Sequence, residues 1–180
     1  MQIELDILNF IQKNMYYDIL TTILRIISYM GNIGFIWIII AILFILIKKY
    51  RKIGITMCIG LILCLIIGNG ILKPLIARTR PYDLEINSNM QIQIEKPNDY
   101  SFPSGHTLAA FTSALIILLY NKKIGIFALI LATLMAFSRL YFYVHFPTDV
   151  LGGIIFGILF AFISKWIVKR YIDNDNKYRN

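Results

Sequence analysis

Apolar residues along this chain come in long blocks, not short runs. The blocks are Ile33–Ile47, Ile53–Leu72, Thr107–Tyr120, Ile124–Tyr141, and a fifth from Asp149 to about Val168. A bilayer crossing takes roughly 20 mostly apolar residues in a helix rising ~1.5 Å per residue. Each block therefore predicts a transmembrane helix, the first reaching spanning length by extending back through Ile27. The residues before it follow another pattern. Asp18, Thr21, Thr22, Arg25 and Ser28 recur every three to four positions, with Ile19, Leu20, Ile23, Leu24, Ile26, Ile27 and Met30 filling the other side. That is an amphipathic stripe, and residues 2–14 repeat it more weakly through Ile3, Ile7, Phe10 and Ile11. A central Arg25 inside hydrocarbon costs at least a few kcal/mol, so residues 2–30 are expected to lie at the membrane interface. The competing reading makes residues 16–30 a sixth span that hides Arg25 in the bundle. The expected fold is thus an all-α integral membrane helix bundle, with five or six transmembrane helices preceded by interfacial amphipathic helices. It forms one domain, divided into amphipathic helices (1–30), a helix bundle (31–168) and a cytoplasmic tail (169–180).

Composition agrees. The 180 residues are 58% hydrophobic with a mean hydropathy of +0.67, where soluble domains carry about 45–50% apolar residues. The net charge of +8 raises nucleic acid as a partner, but the cations fall in short runs between apolar blocks, which instead fits membrane orientation. Lys48, Lys49, Arg51 and Lys52 separate the first two blocks, Lys122 and Lys123 the third and fourth, and Lys169, Arg170, Lys177 and Arg179 follow the last. With these inside, the segment Lys73–Pro103 and the turn around His145 face outward, whether there are five spans or six. Cys58 and Cys64 are six apart and share no helix face, so no disulfide is expected between them, and no Cys/His cluster marks a metal site. Acidic Glu4 and Asp6 stand where a cleavable signal would be basic, so none is expected. The sequence specifies no oligomeric state.

The exceptions to the charge pattern carry the chemistry. Lys73, Arg78, Arg80 and Arg139 fall on or near the outer side, where both histidines also lie. Single cations there snorkel; four converging imply a bound anion. Ser104 and Gly105 open a helix, where free N–H groups and the helix dipole favour an anion. Lys73, Arg80 and Arg139 can spread charge over phosphoryl oxygens. Phosphoryl transfer is mostly positioning and charge stabilisation, which such a cradle supplies. His145 and Asp149 are four apart across Pro147; the carboxylate can accept one ring N–H and leave the other nitrogen free to attack. His106, one turn into its helix, can protonate a leaving oxygen. Asp149 alone reads first as a helix N-terminal charge. No acidic cluster suits magnesium or a metal pair, so the cations are expected to replace a metal, with no cofactor.

Three clusters, "KPLIARTRP" from Lys73 to Pro81, "PSGH" from Pro103 to His106, and "SRLYFYVHFPTD" from Ser138 to Asp149, together form a recognisable pattern. The chain resembles the type 2 phosphatidic acid phosphatase superfamily of membrane lipid phosphatases over about residues 31–168. The resemblance implies a metal-independent phosphatase with His145 as nucleophile forming a phosphohistidine and Asp149 as its partner. His106 becomes the acid for the leaving group, and Lys73, Arg80, Ser104, Gly105 and Arg139 the phosphate holders. It also implies a lipid phosphate substrate drawn from the bilayer of the cell membrane, with the site on the extracytoplasmic face. Undecaprenyl diphosphate is the expected substrate, and phosphatidylglycerol phosphate and phosphatidate its competitors. A non-catalytic lipid-binding or translocating protein is the alternative from another class. Vanadium haloperoxidases share the cradle but are larger and soluble. Bacterial relatives commonly have an apolar first helix, which this chain lacks, and the outer segment Tyr82–Phe102 is too short for much of a lid, leaving the N-terminal helices as cover. Arg78 lies outside the signature and is expected to face solvent or headgroups. The Gly153-Ile-Ile-Phe-Gly157 spacing reads as helix packing.

Overall fold

A computed structural model describes residues 1–84 and 93–172 of the chain, excluding the side chain of residue 172. Among these residues there are helices and no strands. Helix α1 is Gln2–Met15, α2 Asp18–Met30 and α3 Phe35–Leu46. Helix α4 is Arg51–Leu63, continued by a π-helical stretch Cys64–Leu72 and a last α-turn Lys73–Ile76. Helix α5 is Gly105–Tyr120, α6 Lys122–Tyr141, and α7 Pro147–Ile167 with a π-helical end Val168–Ile172. Each of the five apolar blocks forms one of α3 to α7.

Helix α5 is the axis of the bundle, packed against α6, α7 and α4. Small residues let it be approached closely. A Cβ on Gly153 would sit 3.0 Å from the Ser104 carbonyl oxygen, and one on Gly157 would sit 3.2 Å from the Thr112 nitrogen. The Gly-Ile-Ile-Phe-Gly spacing is therefore a packing device, as expected. The same holds where α5 turns into α6: a Cβ on Gly125 would meet the Leu118 Cα at 2.2 Å. Outward faces stay apolar, with Ile126, Phe127, Ile130 and Leu134 exposed along α6 and Leu151, Ile155, Leu159 and Phe162 along α7. Water would penalise such surfaces; lipid does not.

By length and composition, α4 with its continuations, α6, and α7 can each cross a membrane alone. Helices α2 and α3 qualify together, bent by 53°, and α5, with 16 residues, is about 24 Å long. The bend falls where Ile33 and Gly34 take left-handed φ of 55° and 70°. The stripe on α2 turns partly inward. Thr21, Leu24, Ile27 and Ser28 are buried while Ile19, Ile23 and Ile26 are exposed. Arg25 is half-buried and donates to the Gln93 side chain. Helix α1 covers the turn after α6, burying Leu5 and Leu8 with Tyr143 and Phe146. Opposite the site, Lys52 and Lys165 flank the Tyr120 ring. Lys177 and Arg179 of the tail lie outside the described residues.

Candidate active site

Antiparallel neighbours bring the C-terminal ends of α4 and α6 together with the N-terminal ends of α5 and α7. Three breaks aim their side chains. Helix α4 stops at Ala77, in left-handed conformation (φ 47°), and the chain then leaves the helix and is extended at Arg80. The loop Phe142–Phe146 carries His145 between α6 and α7. Ser104 precedes the first turn of α5.

His145 is 1% exposed. Its Nε2 lies 3.2 Å from Arg80 Nη1, and that same nitrogen donates to the Val144 carbonyl at 2.7 Å. Its Nδ1 lies 3.6 Å from Asp149 Oδ2 and 3.5 Å from Ser101 Oγ. The Asp149 contact is therefore electrostatic, longer than an ordinary hydrogen bond. Burial pushes the imidazole down to about 3, Asp149 opposes this, and Arg80 and Arg139 reinforce it. At neutral pH the ring is uncharged with a lone pair available, as a nucleophile requires.

Asp149 is fully buried. Its Oδ2 accepts from the Phe146 N–H at 2.8 Å and the Ser101 hydroxyl at 2.5 Å. It is thus both a cap on α7 and the carboxylate facing His145. Its carbonyl accepts the Ser104 N–H at 3.1 Å, which ties α5 to α7. The Ser104 amide is therefore already bonded, which leaves the following amides of the α5 first turn for an anion. Ser104 Oγ accepts from Thr107 Oγ1 at 3.0 Å. Gly105 matters for room, since a Cβ there would meet Asn69 Oδ1 at 3.1 Å.

The cations converge as expected. Lys73, Arg80 and Arg139 are buried and line one cavity of about 770 Å³ with His106 and His145. Arg139 donates to Ser28 Oγ through Nη1, and its buried Nε has no partner among the described residues. A buried donor left unpaired is costly, and an anion's oxygen would satisfy it. Asp99 bridges Lys73 and Arg80: its carboxylate accepts from Lys73 Nζ and, at 2.5 Å, from Arg80 Nη2. Burial raises the Asp99 carboxyl, but Lys73 and Arg80 outweigh it and hold the group below the usual range. His106 Nε2 lies 3.0 Å from Asn32 Oδ1, at the α2–α3 bend.

The cavity continues away from the charges, lined by Ile38 and Ala41 of α3 and Cys58, Leu61, Ile62 and Leu65 of α4. From Lys73 to Cys58 it follows about 20 Å of the α4 axis.

Sequence reasoning missed Ser28, Asn32, Asp99 and Ser101. It also misplaced Arg78, which turns inward to Asp149 Oδ1 at 2.6 Å and Glu4 Oε2 at 2.8 Å instead of facing solvent. Ser101 and Asp99 stand just before Pro-Ser-Gly-His, but Asp83, Glu85 and Glu95 share the outer segment with Asp99, so no charge pattern singled it out.

Comparison with known proteins agrees with this architecture. The sequence model of the PAP2 superfamily matches residues 49–173. The chain is 34% identical over 155 residues to an undecaprenyl-diphosphatase of Sulfolobus acidocaldarius, covering 84% of this chain and 74% of that protein. It is also 34% identical over 122 residues to phosphatidylglycerophosphatase B of Bacillus subtilis, covering 59% of this chain and 56% of that one. A crystal structure of a transmembrane PAP2-type phosphatidylglycerolphosphate phosphatase from Bacillus subtilis superposes with a TM-score of 0.74, at 24% identity over 94% of this chain and 86% of that one.

Proposed function

Because the chain belongs to the PAP2 superfamily, a family of membrane phosphatases, we propose that it hydrolyses a lipid diphosphate, first of all undecaprenyl diphosphate, at the outer membrane face through a phosphohistidine on His145. One observation carries the reading: a cavity with Lys73, Arg80, Arg139 and His145 at its charged end continues along α3 and α4 between apolar side chains. A phosphorylated headgroup fits the first part and a hydrocarbon chain the second.

The chemistry follows from the geometry. Substrate phosphate displaces the Asp99 carboxylate between Lys73 and Arg80 and accepts from the Nε–H of Arg139. His145 Nε2 attacks the terminal phosphorus; the N–P bond forms as the bridging P–O bond breaks, and the lipid monophosphate leaves. Asp149 faces the imidazolium that develops, and the cradle cations and α5 amides hold the phosphoryl oxygens. His106 protonates the leaving oxygen. In the second step it takes a proton from the water that attacks phosphorus, which releases inorganic phosphate and restores His145. The basic loops stay inside, which puts this end of the bundle outside.

The second reading, a phosphatase of phosphatidylglycerol phosphate or phosphatidate, keeps the same mechanism and is favoured by the likeness to phosphatidylglycerophosphatase B. The test is phosphate release by purified protein in detergent with EDTA, from undecaprenyl diphosphate, phosphatidylglycerol phosphate and phosphatidate in parallel. Preference for the diphosphate, abolished by His145→Ala, is expected. Preference for a glycerophospholipid selects the second reading. Turnover surviving in His145→Ala overturns the mechanism, and no turnover of any lipid phosphate leaves a binding or translocating protein.

A further inference from the structure

Arg78 is hidden in the six-residue spacer between Lys73 and Arg80, and its guanidinium reaches the buried Asp149 carboxylate that faces His145. The two oxygens of Asp149 have separate partners. Oδ2 takes the Phe146 N–H and the Ser101 hydroxyl and faces His145 Nδ1. Oδ1 takes Arg78 Nη1 at 2.6 Å. A carboxylate turns as a rigid unit, so pinning Oδ1 fixes the direction in which Oδ2 meets the imidazole. The pin is itself rigid. Arg78 Nη1 also donates to Thr148 Oγ1 at 2.6 Å, and Nη2 donates to Glu4 Oε2 at 2.8 Å. The guanidinium carbon lies 4.0 Å from the centre of the Phe146 ring. The Arg78 carbonyl accepts the Ser101 N–H at 2.8 Å, so the backbone carrying the pin also carries the other ligand of Asp149. Glu4 closes the network by accepting from Thr148 Oγ1 at 2.5 Å. A planar fork between two carboxylates is geometry that arginine supplies and lysine reproduces only in charge.

We propose that Arg78 is a positioning residue that holds the Asp149 carboxylate toward His145, anchored from its far side by Glu4 of α1. The inference rests on His145 and Asp149 acting as assigned above. It makes the N-terminal helix part of the reacting assembly as well as its cover.

The test uses full-length protein in detergent, as wild type, Arg78→Ala, Arg78→Lys, Glu4→Gln and the Glu4→Gln/Arg78→Ala double variant. Phosphate release from undecaprenyl diphosphate is expected to lose roughly 10- to 100-fold in kcat in Arg78→Ala, as for loss of a charged hydrogen bond, with KM nearly unchanged. Arg78→Lys should recover part of it. Glu4→Gln should lose less and add nothing in the double variant. A loss carried by KM, an unchanged kcat, or additive effects of Glu4 and Arg78 would overturn the proposal. A second readout needs no turnover: ¹⁵N spectra of histidine-labelled protein, assigned with His106→Gln, report the His145 ring. Its Nδ1 resonance should move in Arg78→Ala and return toward wild type in Arg78→Lys. An unmoved resonance sinks the positioning role even in an active enzyme. A moved, rescued resonance in a protein that hydrolyses no lipid phosphate keeps the role and rejects the phosphatase reading. If Arg78→Ala does not fold, Arg78→Lys and Glu4→Gln decide by the same two measurements.

Discussion

Asp99 Oδ1 lies 2.5 Å from Arg80 Nη2, and the other oxygen of the same carboxylate is bonded to Lys73. On the proposed mechanism, half-exposed Asp99 sets its two oxygens where two phosphoryl oxygens would bind. A phosphate entering this cradle exchanges one anion for another, so part of its attraction goes into displacing the carboxylate.

Asp99→Asn removes the competing charge and leaves an amide of the same shape. Inorganic phosphate is expected to inhibit this variant several-fold more tightly than wild type, and the substrate KM is expected to fall. Weaker phosphate inhibition would show that Asp99 instead organises Lys73 and Arg80 for the substrate.

His106 touches Asn32 at the bend between α2 and α3. A diphosphate expels a phosphate monoester, a far better leaving group than the alkoxide expelled from a monoester. His106→Ala should therefore impair phosphatidate turnover more than undecaprenyl diphosphate turnover. Equal losses would assign the ring to binding instead of proton transfer.

The depressed His145 gives a signed prediction for stability. Its folded value of about 3 lies below the ordinary imidazole value of 6.5, so between these pH values the unfolded chain takes a proton that the folded chain refuses. Stability rises with pH wherever the unfolded state binds more protons. His145 therefore destabilises the fold as pH drops from about 6.5 toward 3. Melting temperatures in detergent should fall less steeply over that window in His145→Ala than in wild type; parallel slopes would contradict the burial argument.

Gly125→Ala tests the helix axis independently of chemistry. Its Cβ would fall 2.2 Å from the Leu118 Cα, against backbone that cannot swing aside. An overpacking cost of about 1–3 kcal/mol is expected, read as a lower melting temperature with KM unchanged.

Different parts of this molecule were legible for different physical reasons. Long apolar blocks declare helices because a bilayer leaves backbone groups no other partner. Lys73, Arg80, His106, Arg139 and His145 stood out as cations and imidazoles placed where lipid-facing sequence has no use for them, and the structure brings them to one cavity. Ser28 and Asn32 gave no such signal: on a stripe of mixed polarity a serine reads as part of a wet face, and only the bend after α2 shows that it meets Arg139. Arg78 was hidden by its neighbours, since one arginine beside two other cations looks like an anchor until its carboxylate partners appear. Glu4 is 144 residues from Thr148, a separation that no local pattern reports.

That separation also sets a timetable for biogenesis. At synthesis rates of ~5–20 residues per second, roughly 7–30 s pass between translation of Glu4 and of Thr148. Through that interval α1 exists without the loop it later clasps. Helix α5 likewise enters before the Asp149 carbonyl exists to receive its Ser104 amide. The contacts around Asp149 are consequently a late product of synthesis, closed only once α7 is delivered.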